Sequence, residues 1–439
     1  MRNIFLGLAL LSSLFCFGQK HDFIWMLGYE GGLGDEDFGI SILDFNSDTT
    51  LSISTNSEIR YGFDSANTVM SDKNGNFLFA SNGSYILDAS HYFMKGGENL
   101  NASENHGYIL PQGVLALPHP RDSNLYAFFH GRKGYGVRMT QTWYSEIDMR
   151  ANEGLGEVIL MDSLISDTLL YGQITAVQHG NGRDWWILFQ RYCLEREGCT
   201  GNFFYRVLLT PDGVRTLRQP IIRSPQTDTG LGQAVFTPDG TKYIAPQADN
   251  FDEPLLIDIY DFDRCTGWLS NKKQINATTN VRGENGGSGL AISPNSRYIY
   301  LITWMTIFQF DLWADDIEAS KTIVAEYDGF VDVFPTRFLR AQLAPDGKIY
   351  IATTNSSRYL HVIHHPNRKG VACEVEQHGI RLPTFNGFSI PNYPNYRLGK
   401  WENSPCDTLP DVMVSVVEEV VTTDFNFFPN PTSGYLELK

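Results

Sequence analysis

A chain of 439 residues is long enough for one large all-β domain or two ordinary ones, and 42% hydrophobic with 13% aromatic residues can fill a large core. The net charge of −16 excludes the basic footprint that nucleic-acid binding requires, and it disfavours an anionic membrane surface for the same reason. With 40 glycines and 20 prolines the chain is rich in turns.

The N-terminus reads as an address. Arg2 precedes an apolar run over residues 4–17 that is too short to span a bilayer, and Cys16-Phe17-Gly18 offers a cleavage site before Gln19. Residues 1–18 are therefore expected to be a signal peptide. Phe15 is too bulky before Cys16 for the usual lipidation pattern. No later apolar run is long enough to cross a membrane, so no transmembrane segment is expected. The protein is predicted to be secreted or held at the cell surface.

Strands are predicted over residues 23–29, 39–45 and 51–54, with the Gly-rich acidic stretch Gly34-Asp35-Glu36-Asp37 between the first two. A strand, a tight turn and a second strand then recur. The pattern is seen at 67–80, 113–130 and 174–189. It is clearest in Ala234-Val-Phe-Thr-Pro-Asp-Gly-Thr-Lys-Tyr-Ile-Ala245, Leu290-Ala-Ile-Ser-Pro-Asn-Ser-Arg-Tyr-Ile-Tyr-Leu301 and Gln342-Leu-Ala-Pro-Asp-Gly-Lys-Ile-Tyr-Ile351. Proline presets the first central position of such a turn, Asp or Asn bonds its own backbone, and Gly takes the positive-φ position. Successive copies start about fifty to sixty residues apart, one four-stranded blade per period.

Six such units and three N-terminal strands predict an all-β, seven-bladed β-propeller over residues 22–402, with six or eight blades as the alternatives. The incomplete blade would be closed by a C-terminal strand near 387–391 or 396–400, because a closed ring removes the exposed edge. On these motifs the chain resembles the lactonase-like and WD40-like propeller superfamily. Ser71-Asp-Lys-Asn-Gly-Asn-Phe-Leu-Phe-Ala-Ser-Asn-Gly83, followed by Met94-Lys-Gly-Gly97, is similar to the opening blade of large surface proteins of gliding Bacteroidetes.

A linker is expected over 403–423. Phe427-Phe-Pro-Asn-Pro-Thr-Ser-Gly-Tyr-Leu-Glu-Leu438 then resembles the start of the C-terminal sorting domain of the type IX secretion system, placed at 424–439. The resemblance implies the type IX secretion machinery as a partner. That domain runs on for several more strands where this chain stops at Lys439, so it is read as truncated or degenerate.

An exported chain permits disulfides. Cys193 with Cys199 would staple a hairpin, Cys373 with Cys406 would tie the last strands to the exit of the domain, and Cys265 would remain free. No cysteine or histidine spacing suits zinc.

Candidate chemistry is sought at turns, because propeller ligands meet loops at one face or at the channel mouth. Asp35, Glu36 and Asp37 supply hard oxygen ligands that would suit calcium, against the plainer reading of a solvated acidic loop. Asp249 to Glu253 is a second such loop. His130 and His179 each end a strand at a glycine and could line a ligand mouth. His361 and His365 would share one face of an alternating strand, with His364 on the other, and Glu374 or Glu376 nearby. Trp185, Trp186, Trp304 and Tyr393 could stack on sugars, although most large aromatics should fill the layers between blades. Asp64-Ser65-Ala66, Asp162-Ser163-Leu164, Asp167-Thr168-Leu169 and Asp407-Thr408-Leu409 resemble the O-glycosylation triplet of Bacteroidetes.

No nucleophile elbow, phosphate loop or zinc-protease motif is found, and no catalytic residues are assigned. The expectation is a non-enzymatic propeller that binds or scaffolds, with a glycan, a peptide or a surface protein as partner. The alternative is a metal-dependent hydrolase or lyase of lactonase-like type, marked by acids and histidines converging at the channel mouth.

Overall fold

The computed structural model describes residues 19–407 except residue 33 and segments 48–49, 101–109, 135–138, 168–171, 192–202, 222–231, 248–253 and 280–288. The expected signal peptide, the Cys193–Cys199 pair, the loop at 249–253, most of the linker and the sorting-like tail lie outside the described residues.

Each Pro-Asp-Gly phrase folds as its chemistry dictates. In one copy the Thr237 hydroxyl donates to the Asp239 carboxylate at 2.6 Å and the Gly240 N–H returns to the Thr237 carbonyl at 2.7 Å. Gly240 takes φ +70°, the left-handed conformation that the turn requires. The flanking β-branched and aromatic residues are drawn into antiparallel ladders, and seven such sheets form a seven-bladed β-propeller.

Blade 1 holds β1 (Ile24–Gly28), β2 (Ile40–Asp44) and β3 (Ser52–Asn56), and blade 2 holds β4 (Thr68–Ser71), β5 (Phe77–Ser81) and β6 (Ile86–Leu87). Blade 3 holds β7 (Val114–Pro118), β8 (Leu125–Lys133), β9 (Met139–Asp148) and β10 (Glu157–Ser166). Blade 4 comprises β11 (Thr175–Gln178), β12 (Trp185–Gln190), β13 (Phe203–Thr210) and β14 (Gly213–Pro220). Blade 5 comprises β15 (Val235–Phe236), β16 (Lys242–Gln247), β17 (Leu256–Phe262) and β18 (Leu269–Asn276). In blade 6 are β19 (Gly289–Ile292), β20 (Tyr298–Ile302), β21 (Thr306–Asp311) and β22 (Thr322–Glu326). In blade 7 are β23 (Phe338–Leu343), β24 (Ile349–Thr353), β25 (Ser357–Ile363) and β26 (Val375–Asn386). In blades 3 to 7 the first strand in sequence lies innermost, so the turns between first and second strands all emerge on one face, called here the turn face.

Blade 1 lacks an innermost strand of its own. Tyr393 bonds the Ile24 carbonyl at 2.8 Å at one end of β1, and Tyr29 meets Ser356 at 2.6 Å just past the other. β1 therefore runs against the innermost strands and takes the second place in its blade. The first place is taken by the chain after β26, as the closure argument requires, but not by a ladder strand. Pro391 and Pro394 have no N–H to donate, and the segment is tied in by side chains instead. Among the described residues no helix is long and apolar enough to cross a membrane.

The interior is divided unequally. One continuous apolar cluster unites residues of blades 1 to 4 and 7, among them Trp25, Phe79, Phe129, Trp185 and Tyr350. Three smaller clusters fill the joints of blades 4 with 5, 5 with 6, and 6 with 7. Trp185 and Trp186 belong to these layers, each only 2% exposed, which leaves them no sugar-stacking role.

Candidate ligand site in the central channel

The channel is plugged by the protein itself. Residues 387–401 enter at the end opposite the turn face and leave at the turn face. At the inner end Asn392 donates to the carbonyls of Val114 at 2.8 Å and Ile174 at 2.9 Å, and its backbone N–H reaches the Asn67 carbonyl at 2.9 Å. Gln112 imitates a strand partner for Ala234, accepting from its N–H at 2.7 Å and donating to its carbonyl at 2.8 Å. Gln233 does the same for Ala341, at 2.8 and 2.9 Å. Side-chain amides thus satisfy the innermost backbone groups that a ring of blades leaves unpaired.

Further along, the plug becomes aromatic. Tyr393 and Tyr396 are 7% and 1% exposed, and the Tyr396 hydroxyl donates to the Ala116 carbonyl at 2.8 Å. Burial pushes both phenols well above their ordinary pKa, so they stay neutral donors. Arg397 then forms a two-pronged ion pair with the buried carboxylate of Asp22, at 2.5 and 2.8 Å. Losing water lowers the affinity of the Arg397 guanidinium for its proton, but Asp22 more than compensates and the net shift is upward.

At the turn face the exit is fastened. Arg264, 5% exposed and lowered to about 10 by burial, donates to the carbonyls of Gln178, His179 and Gly399. Trp401 N–H bonds the Gly180 carbonyl at 2.8 Å, and Cys406 is joined to Cys265 in a disulfide. The expected pairing of Cys373 with Cys406 is therefore incorrect, as is a free Cys265. Among the described residues Cys373 is the free, buried thiol, packed among residues of blades 6 and 7. Cys406 instead follows the plug to blade 5, a contact 141 residues apart that spacing cannot reveal.

Between the plug and blades 4 to 7 a cavity of about 300 Å³ opens towards the turn face. Its walls are the innermost strands of those blades and the prolines of three successive turns, Pro238, Pro294 and Pro345. Gln112 lies at its floor, and Tyr393, Asn395 and Arg397 form the plug side.

No protein-family model matches the chain, and no curated protein matches it. Among solved structures it is similar to a putative 6-phosphogluconolactonase from Bacteroides uniformis, with 13% identity over 84% of this chain and 98% of that one and a TM-score of 0.42. A functionally unknown protein from Desulfotomaculum acetoxidans is 16% identical over 84% and 99%, with a TM-score of 0.43. A periplasmic gluconolactonase from Pseudomonas aeruginosa is 12% identical over 83% and 99%, with a TM-score of 0.35. At these levels the likeness carries no functional argument.

The four histidines singled out in the sequence do not meet. His130 is buried on β8, stacked on Phe128 at 5.3 Å, with Nε2 3.0 Å from Asp162. His179 lies under the clamp, where Nδ1 accepts the Asn181 N–H at 3.0 Å, so Nε2 carries the proton donated to the Cys265 carbonyl at 2.9 Å. His361 is fully buried and accepts the His378 N–H at 3.0 Å, and burial lowers its pKa to about 4. β25 ends at Ile363, so His361 and His365 do not share a strand face: His365 sits in the following loop, 3.3 Å from Glu374.

Nor do Asp35, Glu36 and Asp37 form a calcium cage. The Asp35 carboxylate accepts the Asp37 N–H at 3.0 Å, and Arg358 holds the Asp37 carboxylate at 2.8 Å. Among the described residues no three His, Cys, Asp or Glu side chains converge as metal ligands. Ser65 of the first glycosylation-like triplet is 4% exposed and bonded to Asp64, out of reach of a modifying enzyme in the folded protein.

Of the residues that build the site, Tyr393 was singled out from sequence, as an aromatic that could stack on a sugar, and the side-chain amides were not. Their signal was present: Asn67, Gln112, Gln173 and Gln233 stand one or two positions before the innermost strands of blades 2 to 5.

Proposed function

We propose that the protein is an exported, non-enzymatic propeller that binds or scaffolds at the cell surface or outside the cell. The observation that carries this reading is the plug. The channel, where propellers commonly receive small ligands, is filled by the chain's own Asn392, Tyr393 and Tyr396, held by amide and phenol hydrogen bonds. The charged side chains lining the remaining cavity are Asp22 and Arg397, and they neutralise each other. Neither is free to act as a general acid, a base or a nucleophile's partner, which hydrolysis would need.

Export is supported by the signal-like leader and by the Cys265–Cys406 bridge, which suits an oxidising compartment. The test is to incubate the purified full chain with aldonolactones, phosphorylated and not, with and without added divalent cations. The reading expects hydrolysis no faster than in buffer. Turnover that follows the protein through purification, and that disappears on substituting Asp22, would overturn it.

A further inference from the structure

We infer that the cavity between the plug and blades 4 to 7 is a binding site for a small, neutral, polyhydroxylated ring: a free monosaccharide or the end residue of a glycan. This deepens the binding reading above and rests on it.

Size comes first. A volume of about 300 Å³ sits at the low end of the roughly 300–1,000 Å³ seen for small-molecule sites, room for one sugar ring. The inner end is blocked, because Gln112 is committed to Ala234 and its amide also donates to Oδ1 of the Asn392 side chain at 3.2 Å. A blind pocket takes the end of a molecule. It does not take an extended peptide passing through.

Charge selects next. Asp22 and Arg397 are the charged lining residues and are bonded to each other through both carboxylate oxygens. An ionic ligand would leave water for a site with no free counter-charge, which is costly. A neutral ligand escapes that penalty.

Hydrogen-bonding character then favours hydroxyls. β11, β15, β19 and β23 are each paired on one side only among the described residues, so their other edges turn towards the channel. Apart from the groups of Ile174, Ala234, Leu290 and Ala341 already held by Asn392, Gln112 and Gln233, such edges present N–H and C=O groups in alternation. A ring of hydroxyls, each both donor and acceptor, matches that pattern better than a pure donor or acceptor does. Gln342 adds an adaptable group. Its amide makes one ordinary bond, at 3.1 Å to the Leu343 carbonyl, and two long ones, at 3.4 and 3.5 Å to Tyr393, so its oxygen and one N–H can turn to a ligand at little loss.

The walls supply the rest. Pro238, Pro294 and Pro345 recur at one position of three successive turns, and Pro394 of the plug also lines the pocket. Their rings are rigid C–H surfaces for the apolar faces of a sugar. Because turns and strands are fixed before binding, little ordering cost remains.

The test is calorimetric titration of the full chain with neutral hexoses, pentoses and N-acetylhexosamines, alongside gluconate and glucosamine as charged controls. At least one neutral sugar should bind, and the charged controls should bind at least about tenfold more weakly. Gln342→Ala should weaken binding about tenfold, and Ala344→Phe, which enlarges a buried lining residue, should abolish it. Thermal melts establish that each variant is folded, and Gln342→Ala decides alone if Ala344→Phe is not. A glycan array separates the sources: retention only of chains bearing the sugar at their end assigns a glycan terminus, and binding of the free sugar alone assigns a monosaccharide.

The inference is overturned if no neutral sugar binds at about 10 mM, if a charged control binds best, or if Gln342→Ala, folded, binds as the parent does. Failure here leaves the non-enzymatic reading standing. Lactone turnover would end that reading whether or not the pocket binds sugar.

Discussion

The plug meets the two sides of its channel in different ways. Towards blades 1 to 4 and 7 it is part of the core: Ile390, Tyr393 and Tyr396 belong to the same apolar cluster as Trp25, Tyr126, Trp185 and Tyr350. Towards the joints of blades 4 to 7 it is separated by the cavity and fastened at its exit by polar bonds and one disulfide. The first side resembles a folded interior. The second resembles a strap closed over a space. A substitution on the first side should therefore act on the whole propeller, and one on the second should act on the strap.

The largest effect is expected at Tyr396. Replacing it with Ala removes a ring packed edge-on against His21 at 5.4 Å and Trp185 at 5.9 Å, and it orphans the Ala116 carbonyl. Loss of a buried aromatic of this kind costs about 3–5 kcal/mol. Tyr396→Phe, which keeps the ring, should cost about 1–2 kcal/mol for the unsatisfied carbonyl. Chemical denaturation of both variants checks this. If Tyr396→Ala left stability unchanged but exposed the plug to protease, the two sides would not differ as described.

On the strap side, replacing Cys265 and Cys406 together with Ser should cost about 2–4 kcal/mol. Its signature should be local. Limited proteolysis should cut within residues 398–407 while the blades remain protected, because hydrogen bonds with Arg264, Gln178 and Gly180 then hold the exit without a covalent tie. Cleavage spread through the blades at the same protease dose would show that the disulfide supports the ring as a whole.

What could be read in advance follows the same division. Turn chemistry is local, so Pro-Asp-Gly at 238–240 and 345–347 disclosed the strands around it, and the period disclosed the blades. The plug has no period. Pro391 and Pro394 resemble any loop, and the meaning of Tyr393 and Tyr396 depends on blades 1 and 3 standing beside them. Asn392 satisfies Val114 and Ile174, groups more than 200 residues away, as its separations of 278 and 218 show. Histidine and acid clusters attract notice because those side chains carry chemistry elsewhere. Here His130, His179 and His361 are spent on packing and on local hydrogen bonds, each in a different blade.

Acid provides a third comparison, smaller again. His361, fully buried against Phe338 in blade 7, has its pKa lowered to about 4 by burial, from 6.5. The unfolded chain therefore takes up this proton at higher pH than the folded one. Stability is full above about pH 6.5, declines as pH falls towards 4, and levels off below, a loss of up to roughly 3 kcal/mol. His179 on the strap side is also lowered, chiefly by burial, and adds to the decline in the same direction. His361→Gln should flatten the fall in melting temperature between pH 6.5 and 4. An unchanged slope would place the acid sensitivity elsewhere.

The smallest effect, and the finest test, compares two turn glycines. Gly347 has φ +78° and nothing within 4 Å of where a Cβ would stand, so Gly347→Ala costs only the backbone strain, about 1 kcal/mol. Gly240 has a similar φ of +70°, but a Cβ there would lie 2.7 Å from Cδ2 of Leu398 in the strap and 2.9 Å from Cδ of Arg264. Gly240→Ala should carry the same strain plus an overpacking cost of about 1–3 kcal/mol. If that excess comes from the strap, Leu398→Ala should remove much of it, and a double-mutant cycle should return a coupling of about 1 kcal/mol or more. No coupling would mean that the clash falls on Arg264 and the blades, and the strap would then be looser over the cavity than its bonds imply.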